Sequence, residues 1–200
     1  MEHHPGLIVR VNGKTVACVS SENLNIIAAH IHGDVLSTEI ATIDVTGGFY
    51  GEPEETRHLT WIPDLEVTEA DEIEIGFQDV PENSHNGKTL QELFPEPIEP
   101  GPEERLTLQE LAKQLEEQPR IRDSMKLAVA LGSDAPRFYE VTAPEYSFSV
   151  SVMWDWKSND DAKLWVSGAS IQSIAEQRPG QTYLRTRLEK GQFVRVRIGT

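Results

Sequence analysis

Two stretches far apart in the chain share one design, and it constrains the fold more than any other feature. Glu69–Phe77, EADEIEIGF, and Lys190–Gly199, KGQFVRVRIG, both run from a tight polar turn into a strand of alternating residues. Ile73 and Ile75 take the places of Val194 and Val196, with Glu72 and Glu74 where Phe193 and Arg195 stand. Thr46-Gly47 ends 23 residues before Ala70, and Ser167-Gly168 ends 23 residues before Gly191. A strand ending in a hydroxyl residue and glycine, then a closing strand at a fixed offset, indicates an internal duplication.

The segments between fit that reading. Residues 7–19, LIVRVNGKTVACV, place Asn12-Gly13 between two β-rich runs, the pair a two-residue type I′ hairpin requires because both positions need positive φ. Leu24–His32 is a third run. In Ile40–Thr46, Ala41, Ile43 and Val45 alternate with Thr42, Asp44 and Thr46, as in a half-buried strand that Gly47-Gly48 is expected to end. The acidic loop around Pro53 cannot be a central strand. His58–Ile62 and Asp71–Phe77 complete six strands. From Lys126 the order returns: Leu127–Leu131 matches LIVRV, GSDAP replaces Asn-Gly, and Arg137–Val141 follows. Phe148, Val150, Val152, Trp154 and Trp156 alternate with Ser147, Ser149, Ser151, Met153 and Asp155, and Leu164–Val166 and Tyr183–Leu188 supply the remaining counterparts. The two copies span about 7–78 and 127–199.

Between them, residues 79–105 contain five prolines and many carboxylates and read as an extended linker. Thr107 and Glu110 form a capping box, Leu106 and Leu111 a staple, and Pro119 a stop. Leu108, Leu111, Ala112 and Leu115 then make an apolar stripe that needs a partner surface, expected to be a sheet face. The expected fold is mainly β: two tandem, related small β-sandwich or barrel domains joined by a Pro-rich linker and one amphipathic helix. The boundaries are 1–78, an acidic β domain; 79–124, the linker with its helix at 107–118; and 125–200, a second β domain with a basic C-terminal hairpin.

Charge divides along the same lines. Residues 1–78 hold 3 Lys/Arg against 14 Asp/Glu, residues 79–122 hold 5 against 10, and residues 123–200 hold 10 against 9. An acidic first half repels phosphates and argues against nucleic acid there. No run approaches the roughly 20 apolar residues of a membrane helix, no signal segment opens the chain, and the single Cys18 forms no internal disulfide. A cytoplasmic protein is expected.

Candidate chemistry is sparse. His30 and His32 share a strand face and, with Glu39 and His58, form the only set suited to a metal. The set resembles the cupin pattern of His-x-His, Glu and a distant His, which implies a metal-binding barrel or metal-dependent enzyme. Glu39 lies farther from His32 than that pattern has it, and no Pro-x-Gly-x-x precedes His58, so structural or surface histidines are the favoured reading. Asn86–Thr89 is no phosphate loop, because Glu82 stands where its first glycine belongs. Asp155, Asn159, Asp160 and Asp161 lack calcium-loop spacing. No nucleophile elbow or dinucleotide fingerprint is present, and no cofactor is expected.

Binding residues are therefore expected to be charged or aromatic. Arg185 and Arg187 share a face with Tyr183, and Arg195 and Arg197 with Phe193. Set on one hairpin, they would form a four-arginine ribbon needing carboxylates such as Glu72 and Glu74, an anionic partner or solvent above it. Trp165 is an exposed anchor for protein or sugar, or else is buried under the helix. The favoured function is non-catalytic: an interaction protein, of inhibitor or immunity type, meeting a basic protein surface through Glu52, Glu54, Glu55, Asp71, Glu72 and Glu74. The alternatives are the metal-binding barrel and a structural adaptor docking through its helix.

Overall fold

The computed structural model describes residues 4–52, 54–96, 106–158 and 160–200. Twelve strands run in order: β1 (His4–Val11), β2 (Lys14–Ser20), β3 (Ile26–Asp34), β4 (Ala41–Phe49), β5 (Arg57–Val67), β6 (Glu72–Val80), β7 (Met125–Leu131), β8 (Arg137–Val141), β9 (Glu145–Asp155), β10 (Asp161–Ser170), β11 (Gln181–Glu189) and β12 (Gln192–Gly199). Among the described residues three short helices interrupt them: α1 (Leu90–Leu93), α2 (Leu108–Glu117) and α3 (Ile171–Ala175).

All the strands lie in two antiparallel, open six-stranded sheets. One has the order β2-β1-β6-β12-β7-β8 and the other β11-β10-β9-β3-β4-β5. Equating β1–β6 with β7–β12, each order reads the same from both ends. Each half gives three strands to each sheet, and the halves meet at two seams, β6 against β12 and β3 against β9. The expectation of two separate domains, each with its own core, is therefore corrected. One continuous cluster runs from Leu7 and Ile27 through Phe77 to Leu127, Val150 and Val196. The physical reason is size. Six short strands make a marginal core alone, and sharing both sheets removes more apolar surface from water.

The two matched stretches, Glu69–Phe77 and Lys190–Gly199, supply the strands of the β6–β12 seam. Each follows a turn that carries the chain from one sheet to the other. Ile73 faces Val196 and Ile75 faces Val194 in the β6–β12 ladder, so their apolar faces form the middle of the core. The last two strands are consequently no hairpin. Gly191, at φ +84°, turns the chain from the edge of one sheet into the centre of the other.

Local expectations fare better than the global one. Asn12 and Gly13 have φ of +53° and +76°, as a type I′ turn requires. Gly47-Gly48 does not end β4, which continues to Phe49. A Cβ at Gly47 would lie 2.9 Å from the Ile26 carbonyl, so glycine permits close strand approach there. The expected capping box is present, with Thr107 accepting from the Glu110 amide. The helix meets α3 rather than a sheet face, and only Ala112 of its stripe is buried.

The expected extended linker is partly corrected. Residues 83–88 are bonded to two strands, and Thr89 caps α1. Pro97, Pro100 and Pro102 of the Pro-rich run, with Pro53 and Asn159, lie outside the described residues.

Candidate functional site

Of the histidine set only His32 and Glu39 are brought to one cleft; His30 and His58 lie outside it. His30 and His32 do share the outer face of the β3–β4–β5 side, opposite Asp44 and Thr42. His58 pairs with Gly48, so about 20 Å of strand, at roughly 3.3 Å per residue, separates it from the level of His32. There it bonds the Tyr50 hydroxyl at 2.8 Å. Among the described residues no group of three or more His, Cys, Asp and Glu side chains is placed to hold a metal.

The arginines do not form one ribbon, because β11 and β12 belong to different sheets. Arg197 pairs with Glu72 at 2.7 Å. Arg195 stands opposite Glu74 in register but donates to the Gly132 carbonyl at 2.8 Å, and Arg10 pairs with Glu74 instead. On the other sheet, Arg187 pairs with Asp161 at 2.6 Å, and Arg185 lies over the Trp165 ring, 5.9 Å from its centroid. Trp165 is half-buried on an outer sheet face.

The six acidic residues scatter similarly. Glu52, Glu54 and Glu55 sit exposed in the loop before β5. Asp71 lies past the other end of that strand, its carboxylate accepting from the Thr68 amide, the Thr68 hydroxyl and Asn12. Those bonds, the backbone one foremost, hold it below the usual carboxylate range. Glu72 and Glu74 are paired with arginines.

What the fold assembles instead is a second acidic group that the sequence did not single out. A cleft of about 340 Å³ at the end of β3, β4 and β5 is lined by His32, Asp34, Glu39, Thr42, Asp64 and Glu66. His32 Nδ1 lies 3.6 Å from Asp44 Oδ2, and its Nε2 lies 2.8 Å from the Thr42 hydroxyl. Asp44 raises the ring above its ordinary pKa against some desolvation, with Asp64 and Asp34 adding to the effect. Asp34 is used locally, accepting from Leu36, Ser37 and the Ser37 hydroxyl. Arg122 reaches the cleft edge but donates to the backbone carbonyls of Asp34, Thr38 and Glu39. Asp64 and Glu66 are exposed and have no ion-pair partner among the described residues. Alternation continued from His58–Ile62 could not have found them, because the β4–β5 ladder shifts register between the Ile62 and Leu65 pairings and turns Asp64 and Glu66 outward.

The chain matches no protein-family model, no curated protein and no solved structure. Fold and surface thus define its class: a two-sheet, sandwich-like β protein with matched halves. Among the described residues no helix is long and apolar enough to cross a membrane.

Proposed function

We propose that the protein is a non-catalytic interaction module, one β unit written twice, that presents an acidic flank to a basic protein surface. The observation carrying this reading is the distribution of unpaired carboxylates along β5. Glu52, Glu54 and Glu55 precede the strand, and Asp64 and Glu66 close it beside Glu39 and the Asp44-bound His32. The carboxylates form two patches at opposite ends of β5, each steering an oppositely charged surface, because more than about 20 Å of strand at roughly 3.3 Å per residue exceeds the screening length of about 8–10 Å. Asp71, Glu72 and Glu74 contribute less, because each is neutralised or hydrogen-bonded internally. Inhibitor and immunity-type proteins against basic enzymes use such complementarity to accelerate encounter. A cytoplasmic setting suits the single free thiol, Cys18.

The test is affinity capture from native lysate at about 50 mM and about 500 mM salt, where the screening length falls severalfold. Wild-type protein should retain a basic partner at low salt only. The Asp64→Lys/Glu66→Lys variant should lose it at both. Capture that ignores both salt and reversal rules the reading out.

A further inference from the structure

Residues 83–88 bind an outer edge of each sheet at once. The Ser84 amide donates to the Cys18 carbonyl at 2.8 Å, the Cys18 amide to the Ser84 hydroxyl at 3.0 Å, and the Ser20 amide to Asn83 Oδ1 at 2.7 Å, all on the outer edge of β2. Lys88 then forms an antiparallel bridge with Thr60, exchanging backbone bonds of 2.8 Å on the outer edge of β5. Between these points His85 is fixed to Trp61. Its carbonyl accepts from the indole at 3.0 Å, and its Nε2 lies 3.0 Å from the Trp61 carbonyl. The segment therefore gives each edge what a further strand would give it: two side-chain oxygens in place of carbonyls at β2, and backbone pairing at β5.

The cover falls on the stretches most in need of it. A sheet edge of low charge and high β propensity pairs readily with another chain. In β2, residues 15–20 (TVACVS) hold no Lys, Arg, Asp or Glu, and both Cys18 and Ser20 lie among them. In β5, residues 58–63 (HLTWIP) likewise hold none, and Thr60 and Trp61 stand at their centre. The other two edge strands are built differently. β8 is only five residues long and carries Arg137 and Glu140, and β11 carries Arg185, Arg187 and Glu189. Short length and charge themselves deter edge pairing. The segment has little core to supply: Asn83, Ser84, His85, Asn86 and Lys88 are exposed, and Gly87 alone is half-buried, beside Leu59 and Trp61.

We infer that residues 83–88 are an edge guard: by occupying β2 and β5 they stop two copies of this chain from pairing through those strands. A molecule freed of the segment assembles with a second copy. The excluded occupant is another copy because every molecule carries the same uncharged edge, and an edge strand paired antiparallel with itself closes a two-fold dimer. β2, which contains no proline, is the strand through which copies then join; Pro63 stands in β5. The guard acts through hydrogen bonds rather than buried surface, so weakening it changes association more than it changes the fold. It depends on neither patch of carboxylates.

The test uses the full chain carrying Ser84→Pro/Lys88→Pro, which removes the amides donated to Cys18 and Thr60 together with the Ser84 hydroxyl. In dilute solution the Cys18 amide should exchange about tenfold faster than in wild type, as loss of one hydrogen bond predicts. From micromolar to millimolar protein, sedimentation should show the variant associating, with no such rise in wild type, and the Cys18 amide should regain its protection. The capped peptide ENSHNGKT, residues 82–89, added in excess should return the variant to monomers. Asn83→Ala/Ser84→Ala, which removes only the two side-chain acceptors, is read in the same way and decides the outcome if the proline variant loses its dispersed NMR spectrum. The inference is overturned if an exposed Cys18 amide brings no association at millimolar protein, if association leaves that amide exposed, or if the peptide does not reverse it. It is equally overturned if the amide stays protected in the dilute variants, or if wild type already pairs through it.

Discussion

Arg197 of the last strand and Glu72 of β6 are ion-paired at 2.7 Å across the line where the two halves of the chain join. The pair lies on the outer face of the sheet, over a core in which Ile73 meets Val196 and Ile75 meets Val194. The charges mark the seam; the apolar residues beneath hold it.

A first prediction separates those contributions. Phe77 is fully buried beside the seam, and Phe77→Ala should destabilise the protein by about 3–5 kcal/mol through lost burial and the cavity left behind. The Arg197 side chain is 67% exposed, so Arg197→Ala should remove no more than about 1 kcal/mol. Chemical denaturation of both variants checks the order; a larger effect at Arg197 would contradict it.

The halves should not fold apart. Residues 1–96, expressed alone, would leave β6 and β3 without their seam partners, and residues 106–200 would leave β12 and β9 bare. Each fragment should show little dispersed amide NMR signal or should aggregate. Mixing them should restore native-like spectra. Two independently folded halves would refute the shared core.

Gly87 offers a local probe of the segment at residues 83–88 that bonds the edges of β2 and β5. A Cβ there would approach Leu59 Cβ to 2.9 Å and the Trp61 ring to 3.0 Å. Replacing glycine by alanine gains about 0.4–1 kcal/mol through the unfolded chain where the site tolerates it. Crowding costs about 1–3 kcal/mol, so Gly87→Ala should be net destabilising. It should also shift Trp61 fluorescence before global unfolding, which a thermal melt followed at two wavelengths will detect.

His32 gives stability a pH dependence of known sign. Its folded pKa lies above the ordinary 6.5, chiefly through Asp44. The contribution is therefore complete below the unfolded value and is lost as pH rises through the folded one. Melting temperature should fall more steeply between about pH 6 and 8 in wild type than in His32→Asn. The ring is 55% exposed, so the difference will be small, and identical slopes would remove the coupling.

Much of the fold was legible in the chain. Alternation located β4, β6, β9 and β12, which bury one face, while β1 and β3, buried on both, were found as β-rich runs and the rest largely by matching the two halves. Asn12-Gly13 and Thr107-x-x-Glu110 declared a turn and a helix start through local chemistry that tertiary structure left alone. What stayed hidden was the pairing between halves. Ile73 and Val196 carry the same apolar, β-branched character whether they face separate cores or each other. The sites suffered for the same reason. Arg185 and Arg195 look adjacent along the chain, yet the turn at Gly191 sends them to different sheets. Asp64 and Glu66 gain meaning only when β3 brings His32 and β4 brings Asp44 beside them.

Both central seams join a strand of one half to a strand of the other. Two untethered modules of this kind would have to find one another, so their stability would vary with dilution. Carried on one polypeptide, the same contacts form at a local concentration set by the segment between Val80 and Met125, which dilution does not change. The molecule therefore keeps its architecture at any abundance in which it is made.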